Sequence, residues 1–544
     1  MESPAPLLQR YDIFRRKARN VKTADRAVTA GNVQNKCVLL PETFILSVFF
    51  MKTASYNHIL KYTGLLGGVQ ALYIVMAVLR NKLTALLVGA VGMGLADLYS
   101  RAVELLSNAS NLGLYMSGAR TLAGLCGEGR WRAVRHGVCL LRTWVAYAAA
   151  LGALLTVAVS PLMSRFATGD YGATAAFALL APAVALSVLT GGEMAVLKGC
   201  GRLRRLAQAS AGGAVCTLLV AVPLYWWLGL RGVIPVITAV AAATFLIYLR
   251  AATRECPYRI APLHRRFVSR GVPLLRLGLA YVVAGVMASG AEMAVRSGLM
   301  NSGGGLKTVG LYAAGLTLTV SYVRILFMSM DADYFPRLSG LVHDRRRMNL
   351  TVNRQTDVLV AFAAPFLILF ALALPLLVRL LYTAEFMAVV PMALCAVGFM
   401  FFKALYTPIA YLPLAAGHGT VFVVMELIYN VLFALSVIAG ARWGGLAGAG
   451  AGLALSGALN LAMLWAVYAR RYGFRLRVAT LRRSAGLLLC LTAGLAAAAQ
   501  TDLSVRLAGG IAACLPACLP AWHLLRRQTA AGNAWRNLLH RRKH

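Results

Sequence analysis

Acidic residues are scarce in this chain of 544 residues, which holds 18 aspartates and glutamates against 55 lysines and arginines. Charged residues of both signs make up only 13% of the sequence, whereas 59% is hydrophobic and the mean hydropathy is +0.69. Soluble globular domains carry about twice that charged fraction. The composition therefore excludes a soluble fold and predicts a polytopic membrane protein.

Three further patterns are missing. The apolar runs continue for about 20 residues without alternating polar positions, which excludes a membrane β-barrel and predicts an all-α fold. The ten cysteines form no CxxC pair and have no histidine at metal-ligand spacing. We therefore predict no disulfide framework, no metal and no cofactor. No loop is long enough for a catalytic domain outside the membrane, so we expect that the protein is not an enzyme.

Long apolar runs predict about 14 transmembrane helices, with basic residues concentrated in alternate loops. The spans lie near 60–88, 93–117, 137–160, 172–196, 207–228, 231–250, 273–301, 310–333, 357–381, 386–411, 419–440, 444–468, 484–500 and 505–525. The basic loops follow spans 2, 4, 6, 8 and 12, so the positive-inside rule places them and both termini in the cytoplasm. The net charge of +37 is thus a topology signal, strengthened by contact with anionic membrane lipids, and not a nucleic-acid site.

The two halves of the chain share landmarks at a nearly constant spacing. Arg80 and Arg296 lie near the far ends of the first helix in each half (296 − 80 = 216). Three other landmarks recur at 216 or 218 positions: Val91-Gly92 with Val309-Gly310, Gly199-Cys200-Gly201 with Gly417-His418-Gly419, and Gly229 to Gly232 with Gly445 to Gly448. A repeat of this length predicts two parallel six-helix lobes, related by an axis along the membrane normal, around a central cavity.

The repeat and the linker composition divide the chain into five parts. We predict an N-terminal tail at 1–56, an N-lobe of spans 1–6 at 57–250, a cytoplasmic linker at 251–272, a C-lobe of spans 7–12 at 273–470, and spans 13–14 with a basic tail at 471–544. Residues 1–50 are basic and end in an apolar run too short to span, so we expect translation to start at Met51.

Ionisable side chains inside spans cost about 2.5–3.5 kcal/mol each and usually face a cavity or a partner. The N-lobe holds Arg80, Lys82, Asp97, Arg101, Glu104, Glu193 and Lys198, and the C-lobe holds Arg276, Glu292, Arg296, Arg324, Asp331, Asp333, Lys403 and Glu426. A guanidinium fork at matching depth in each lobe suits the oxygens of a diphosphate. Snorkelling of either arginine to the outer headgroups is the alternative.

Two groups of carboxylates accompany these cations. Asp97, Arg101 and Glu104 share one face of span 2, which indicates either a cavity-lining stripe or an internal salt-bridge ladder. Glu292 precedes Arg296 by one turn and could simply pair with it. Asp331 and Asp333 end span 8, where they suit cation coupling, although helix termination and pairing with the following arginine explain them equally well.

Several stretches resemble the polysaccharide-transporter flippases of the multidrug/oligosaccharidyl-lipid/polysaccharide exporter (MOP) superfamily. The longest, 70–120, reads QALYIVMAVLRNKLTALLVGAVGMGLADLYSRAVELLSNASNLGLYMSGAR. Shorter ones read VLKG at 196–199, DYFPR at 333–337 and LYTAEF at 381–386. The resemblance covers about 57–470 and is carried by pattern more than by a catalytic signature; the first 50 residues depart from it.

The resemblance implies a flippase that moves undecaprenyl-diphosphate-linked oligosaccharides across the bacterial inner membrane by alternating access, for O-antigen, capsule or exopolysaccharide assembly. Its partners would be that glycan lipid, membrane lipids, and a polysaccharide polymerase and glycosyltransferases. The matching cavity cations are Arg80 and Arg296, followed by Arg101, Arg324 and Lys82. The charge-balancing or ion-coupling candidates are Asp97, Glu104, Glu292, Asp331 and Asp333.

Three other functions stay open. A multidrug or lipid II exporter of the same superfamily would share the fold, but exporters of organic cations need acidic cavities, and the predicted cavity has an excess of cations. A membrane glycosyltransferase or polymerase would need a large external loop, which the sequence lacks. A scaffold or a channel is the remaining alternative.

Overall fold

A computed structural model describes residues 42–261, 265–321, 323, 327, 334–335, 337–500 and 502–541. The chain divides into two compact units, Met1–Gly64 and Leu65–His544. Within the first unit, the described residues 42–64 are helical. Arg324, Asp331 and Asp333 lie outside the described residues, as do residues 1–41 of the predicted tail.

Helices account for nearly all of the described residues, which contain no strand. They are α1 Glu42–Ser110, α2 Leu114–Gly127, α3 Trp131–Thr168, α4 Thr174–Ala178, α5 Ala181–Gly199, α6 Leu203–Leu228, α7 Val233–Thr253, α8 Arg265–Leu299, α9 Gly305–Leu316, α10 Arg345–Leu381, α11 Val390–Ala410, α12 Leu412–Ala415, α13 Gly419–Tyr472, α14 Val478–Ala498 and α15 Leu503–Arg541. Short 3₁₀ or π segments lie at Gly229–Gly232, Met300–Gly304, Thr317–Ser321 and Ala384–Val389. The prediction of an all-α fold is confirmed.

Nine helical runs within the described residues are long and apolar enough to cross a membrane. Three of them, Val75–Ser110, Leu203–Thr253 and Gly419–Tyr472, each contain residues from two of the predicted spans. The protein is therefore a multi-pass membrane protein, and the total of 14 spans stays a prediction.

Glycines with positive φ separate the paired spans and repeat between the lobes. Gly89 and Gly305 have φ of 64° and 60°, and Gly229 and Gly445 have φ of 54° and 57°. With ψ between −169° and −133°, these four positions are in a region that only glycine enters readily. Both pairs have the same separation (305 − 89 = 216 and 445 − 229 = 216). The duplication thus extends to backbone conformation.

Two of the predicted matches at 218 positions are wrong by two residues. The loop glycines with left-handed φ are Gly201 and Gly417 (417 − 201 = 216), so Gly201, and not Gly199, corresponds to Gly417. Likewise Gly310 contacts Gly94 and not Gly92. Glycine occurs at both 92 and 94 and at both 199 and 201. The similarity of short motifs therefore matched the wrong glycine of each pair.

The contact between Gly94 and Gly310 lies on the axis that relates the lobes. A Cβ added at Gly94 would lie 2.0 Å from the carbonyl oxygen of Leu306, and one at Gly310 would lie 1.9 Å from that of Ala90. The four residues form two equivalent pairs (306 − 90 = 216 and 310 − 94 = 216). Helices α1 and α9 therefore cross with their backbones in contact, as only small residues permit.

The C-terminal helices pack on the outside of the C-lobe. Gly494 of α14 lies against Ile368, and Gly510 of α15 lies against Leu372, both on α10. The amide of Asn353, also on α10, donates to the backbone oxygen of Arg475 at 2.9 Å, just before α14. Helices α14 and α15 are thus an addition packed on α10 of the C-lobe.

Candidate functional site

Arg296 of α8 is the most deeply buried cation of the seam, by which we mean the contact of α1 with α8 and α9. Its side chain is 1% exposed. Nε donates to Asp97 of α1 at 2.8 Å, and Nη1 donates to both the backbone oxygen and the side chain of Glu292. Its guanidinium also lies 5.5 Å from the ring centre of Tyr312. A buried guanidinium is stable only when paired in this way.

The two carboxylates reach Arg296 from different lobes. Glu292 precedes it by four residues on α8, where helix geometry places both side chains on one face. Asp97 lies on the N-lobe helix α1 and is also 3.5 Å from Nε of Arg101. The ion pair between Asp97 and Arg296 therefore joins the lobes, whereas the pair with Glu292 remains within one helix.

The predicted polar stripe on α1 forms the internal salt-bridge ladder, and the same face contacts the C-lobe. Arg101 pairs with Glu104 at 2.9 Å as well as with Asp97, which forms the internal ladder. The same face contacts α8, because the Asn108 amide donates to Ser289 Oγ at 3.4 Å. Glu104 is half exposed and Arg101 a third exposed. The stripe therefore lines the seam between the lobes.

Arg80 occupies the repeat position of Arg296 but has different neighbours. It is partly buried, nine residues before Gly89, and its Nη2 donates weakly to Asn81 Oδ1 at 3.4 Å. Tyr225 of α6 is close enough to interact electrostatically with it. No ion pair forms between Arg80 and any described residue. Lys82, two residues further, donates to the backbone oxygen of Leu380 at 2.6 Å.

The seam is closed at both of its ends. At the predicted outer end, a Glu385 oxygen accepts from the backbone NH of Ala90 at 3.3 Å, and the other oxygen is 3.1 Å from Lys307 Nζ. At the predicted cytoplasmic end, a Cβ on Gly113 would lie 2.2 Å from the carbonyl oxygen of Gly278. These contacts hold the described helices of the seam together at both ends in the state observed.

Two cavities lie away from Arg296. One, of about 320 Å³, lies within the C-lobe between α11 and α13 and is lined by Lys403, Glu426, Asn460 and several aromatic side chains. The other, of about 360 Å³, lies near the predicted cytoplasmic end and is lined by Arg120, Lys198 and other residues. Neither contains any of the cations predicted to bind substrate.

One buried ion pair was not predicted. Arg142 of α3 is 2% exposed and donates twice to Glu193 of α5, at 2.8 and 2.7 Å. Its Nη1 donates to the carbonyls of Cys256 and Pro257 at 3.0 and 2.8 Å, which attaches the start of the linker to the N-lobe. The isolated charge of Glu193 inside a span was a signal that a buried cation had to exist.

The described residues hold no cluster of histidine, cysteine, aspartate or glutamate suited to a metal ion. Cysteines do gather near the predicted cytoplasmic face, where burial and the neighbouring Cys126 raise the pKa of the Cys200 thiol to about 12. Burial also raises the pKa of Cys256. Both thiols are therefore protonated near neutral pH, when a metal ligand or nucleophile would need the thiolate.

Comparisons with known proteins agree with the fold. A model of a family described as polysaccharide biosynthesis protein matches residues 142–391. A structure of the lipid II flippase MurJ in an inward closed conformation is 13% identical, with a TM-score of 0.62 over 85% of this chain and 99% of that chain. An inward-facing multidrug resistance transporter of the MATE family is 15% identical, with a TM-score of 0.56 over 72% of this chain and 94% of that chain.

A third structure, of a MOP superfamily transporter from Pyrococcus furiosus described by the reverse polarity of its binding pocket, is 13% identical, with a TM-score of 0.53 over 76% of this chain and 96% of that chain. No curated protein sequence matches the chain. The chain therefore has the fold that MurJ and the MATE transporters share, and the resemblance to polysaccharide transporters seen in the sequence agrees with the family model that matches part of the chain.

Proposed function

We propose that this protein is a flippase that moves undecaprenyl-diphosphate-linked oligosaccharides from the inner to the outer leaflet of the bacterial cytoplasmic membrane. The observation that carries the proposal is the Arg296 network, because it holds a buried cation between two lobes and is assembled from both of them. Both termini would be cytoplasmic. The glycan would serve O-antigen, capsule or exopolysaccharide assembly.

The network supplies a way to exchange one anion for another. When the lobes separate, Arg296 keeps Glu292, which is on its own helix, but loses Asp97. A diphosphate oxygen can then take the position of Asp97 and form the same charge-assisted hydrogen bond. When the lobes close after the substrate has left, Asp97 would return to Arg296, so the closed and empty state does not leave the guanidinium without an anion.

Arg80 would supply the second cation. It lies at the repeat depth of Arg296 and has no carboxylate among the described residues, so it can bind an anion without first breaking an ion pair. Asp97, Glu104 and Glu292 would balance charge or couple an ion gradient. The glycan would occupy the space that opens along the seam, while the prenyl chain stays in lipid.

The substrate class follows from the sign of the available charge. An exporter of organic cations would need free carboxylates, whereas Asp97, Glu104 and Glu292 are all paired with arginine here. An anionic lipid-linked substrate fits Arg80, which has no ion pair with a described residue, and lipid II belongs to the same chemical class. Glycosyltransferases would supply the substrate at the cytoplasmic side, and a polymerase would consume it outside.

The test is flipping by the full-length protein in proteoliposomes that contain a fluorescent polyprenyl-diphosphate oligosaccharide. Loss of one charge-assisted contact should slow flipping about tenfold or more in Arg80→Ala and in Arg296→Ala. The control is Arg442→Ala, because Arg442 is exposed at the turn before Gly445. Flipping at the normal rate by both variants, at equal protein incorporation, would refute the proposal.

A further inference from the structure

The cavity of about 360 Å³ near the predicted cytoplasmic face has no part in the function proposed above. We call it the Arg120 groove. Arg120 and Ser117 of α2, Lys198 of α5, and Tyr281 of α8 contribute to its lining. Its volume lies at the lower end of the range typical of ligand pockets. Because α2 and α5 belong to the N-lobe and α8 to the C-lobe, the groove lies where the two lobes meet.

The two cations of the groove have no carboxylate partner among the described residues. Lys198 lies 5.3 Å from the ring centre of Tyr115, and no acidic residue is among the described residues that line the groove. Arg120 forms no hydrogen bond or ion pair with another described residue. Two other arginines at this face, Arg202 and Arg205, instead share Glu255 at 3.0 and 2.5 Å.

Close helix packing brings the backbone segments that carry the two cations together. Gly199, next to Lys198, packs on α2 so tightly that an added Cβ would lie 2.8 Å from the carbonyl oxygen of Ala119, the neighbour of Arg120. Arg120 and Lys198 are both exposed and line the same groove, so an anion that binds between them reduces the repulsion of two like charges. The groove is therefore a cationic surface site.

The predicted position of the groove along the membrane normal indicates where the anion comes from. Arg120 lies in the basic loop region that the positive-inside rule assigns to the cytoplasmic surface, where the phosphates of the inner leaflet lie. Tyr115 and Tyr281 beside the cations are side chains typical of that interface. A lipid phosphate can enter such a groove while its acyl or prenyl chain remains in the bilayer.

We propose that the Arg120 groove binds the phosphate or diphosphate of a lipid headgroup from the cytoplasmic leaflet. Arg120 and Lys198 bind the phosphate oxygens, and Tyr281 makes binding sensitive to the position of the C-lobe. A role in loading the substrate before the seam opens rests on the proposed flippase function, whereas binding of the phosphate does not.

The experiment measures binding to the full-length protein in detergent by calorimetry. The probes are farnesyl diphosphate and short-chain phosphatidylglycerol, with the matching diacylglycerol as the uncharged control. Arg120→Gln/Lys198→Gln should weaken binding of at least one anionic probe about tenfold or more. The matched control is Arg132→Gln/Arg204→Gln, which removes the same charge from exposed residues outside the groove. Arg120→Lys/Lys198→Arg should retain binding.

The outcomes separate the sources and the two proposals. A loss confined to farnesyl diphosphate identifies a polyprenyl diphosphate site, a loss confined to phosphatidylglycerol identifies a phospholipid site, and loss of both identifies a shared phosphate site. Equal losses in the groove and control variants, or no loss in either, overturn the proposal. If the wild-type protein binds through the groove but flips no glycan lipid, the proposed function fails and the groove remains.

Discussion

Arg80 and Arg296 occupy equivalent positions of the duplicated unit but have different surroundings. Each lies nine residues before a glycine turn, at Gly89 or Gly305. Arg296 is 1% exposed and paired with two carboxylates, whereas Arg80 is only partly buried and hydrogen-bonds to a neighbouring amide. Equivalent positions in the repeat therefore have an unequal charge balance.

The cause is visible in the sequence at the repeat spacing. Glu292 corresponds to Met76 (292 − 216 = 76), and Asp97 corresponds to Ala313 (97 + 216 = 313). Arg80 thus lacks both of the acids that Arg296 has. One copy forms an ion pair that joins the lobes, and the other leaves a cation available to a ligand. The difference predicts that the two arginines respond differently to the same substitution.

The largest difference should appear in stability. Arg296→Ala removes a buried guanidinium from two partly buried carboxylates, of which only Asp97 keeps another cation, Arg101, and the loss should cost about 2–3 kcal/mol. Arg80→Ala removes no ion pair among the described residues and should cost less than about 1 kcal/mol. Thermal unfolding of both purified variants in the same detergent measures the contrast. Equal losses of stability would show that the two arginines are not differently paired.

Alanine substitutions at the two glycines where α1 crosses α9 should reduce stability equally. Gly94→Ala and Gly310→Ala each place a methyl group about 2 Å from a backbone oxygen of the opposite lobe. Such overpacking typically costs about 1–3 kcal/mol, and we expect the two losses to agree because the contacts are equivalent. Gly124→Ala is the control, since no atom lies within 4 Å of an added Cβ there. Unequal losses, seen by the same unfolding measurement, would argue against an axis between these glycines.

The contrast also shows how far sequence reasoning reaches. Hydrophobic length and the repeat predict an all-α membrane fold and the equal depth of Arg80 and Arg296, because the bilayer dictates both. They do not predict which helix faces meet. Asp97 lies 199 positions from Arg296, and Arg142 lies 51 from Glu193, so neither pair follows from local spacing.

The register of the repeat is the second feature that the sequence does not predict correctly. The dipeptides at 91–92 and 309–310 match as sequence, yet Gly310 meets Gly94, two positions further along the helix. Two residues rotate a helical side chain by about half a turn, so the error exchanges a contact face for the opposite one. The positive φ of Gly89 and Gly305 establishes the register, because each glycine marks the point where one span ends and the next begins. The position of such a turn cannot change without shifting both of the helices that it joins.

The smallest change in stability should come with a clear change in function. Met76→Glu places a carboxylate one turn before Arg80, in the relation that Glu292 has to Arg296. The new pair should alter stability by only about 0.5 kcal/mol, because the guanidinium offsets the cost of the added charge. Flipping should nevertheless fall, since the introduced carboxylate would offset the positive charge with which Arg80 attracts a diphosphate. Met76→Gln has the same shape without the charge and should flip at the wild-type rate. If the two variants flip equally in proteoliposomes, then Arg80 does not act as a free cation, and its difference from Arg296 concerns packing alone.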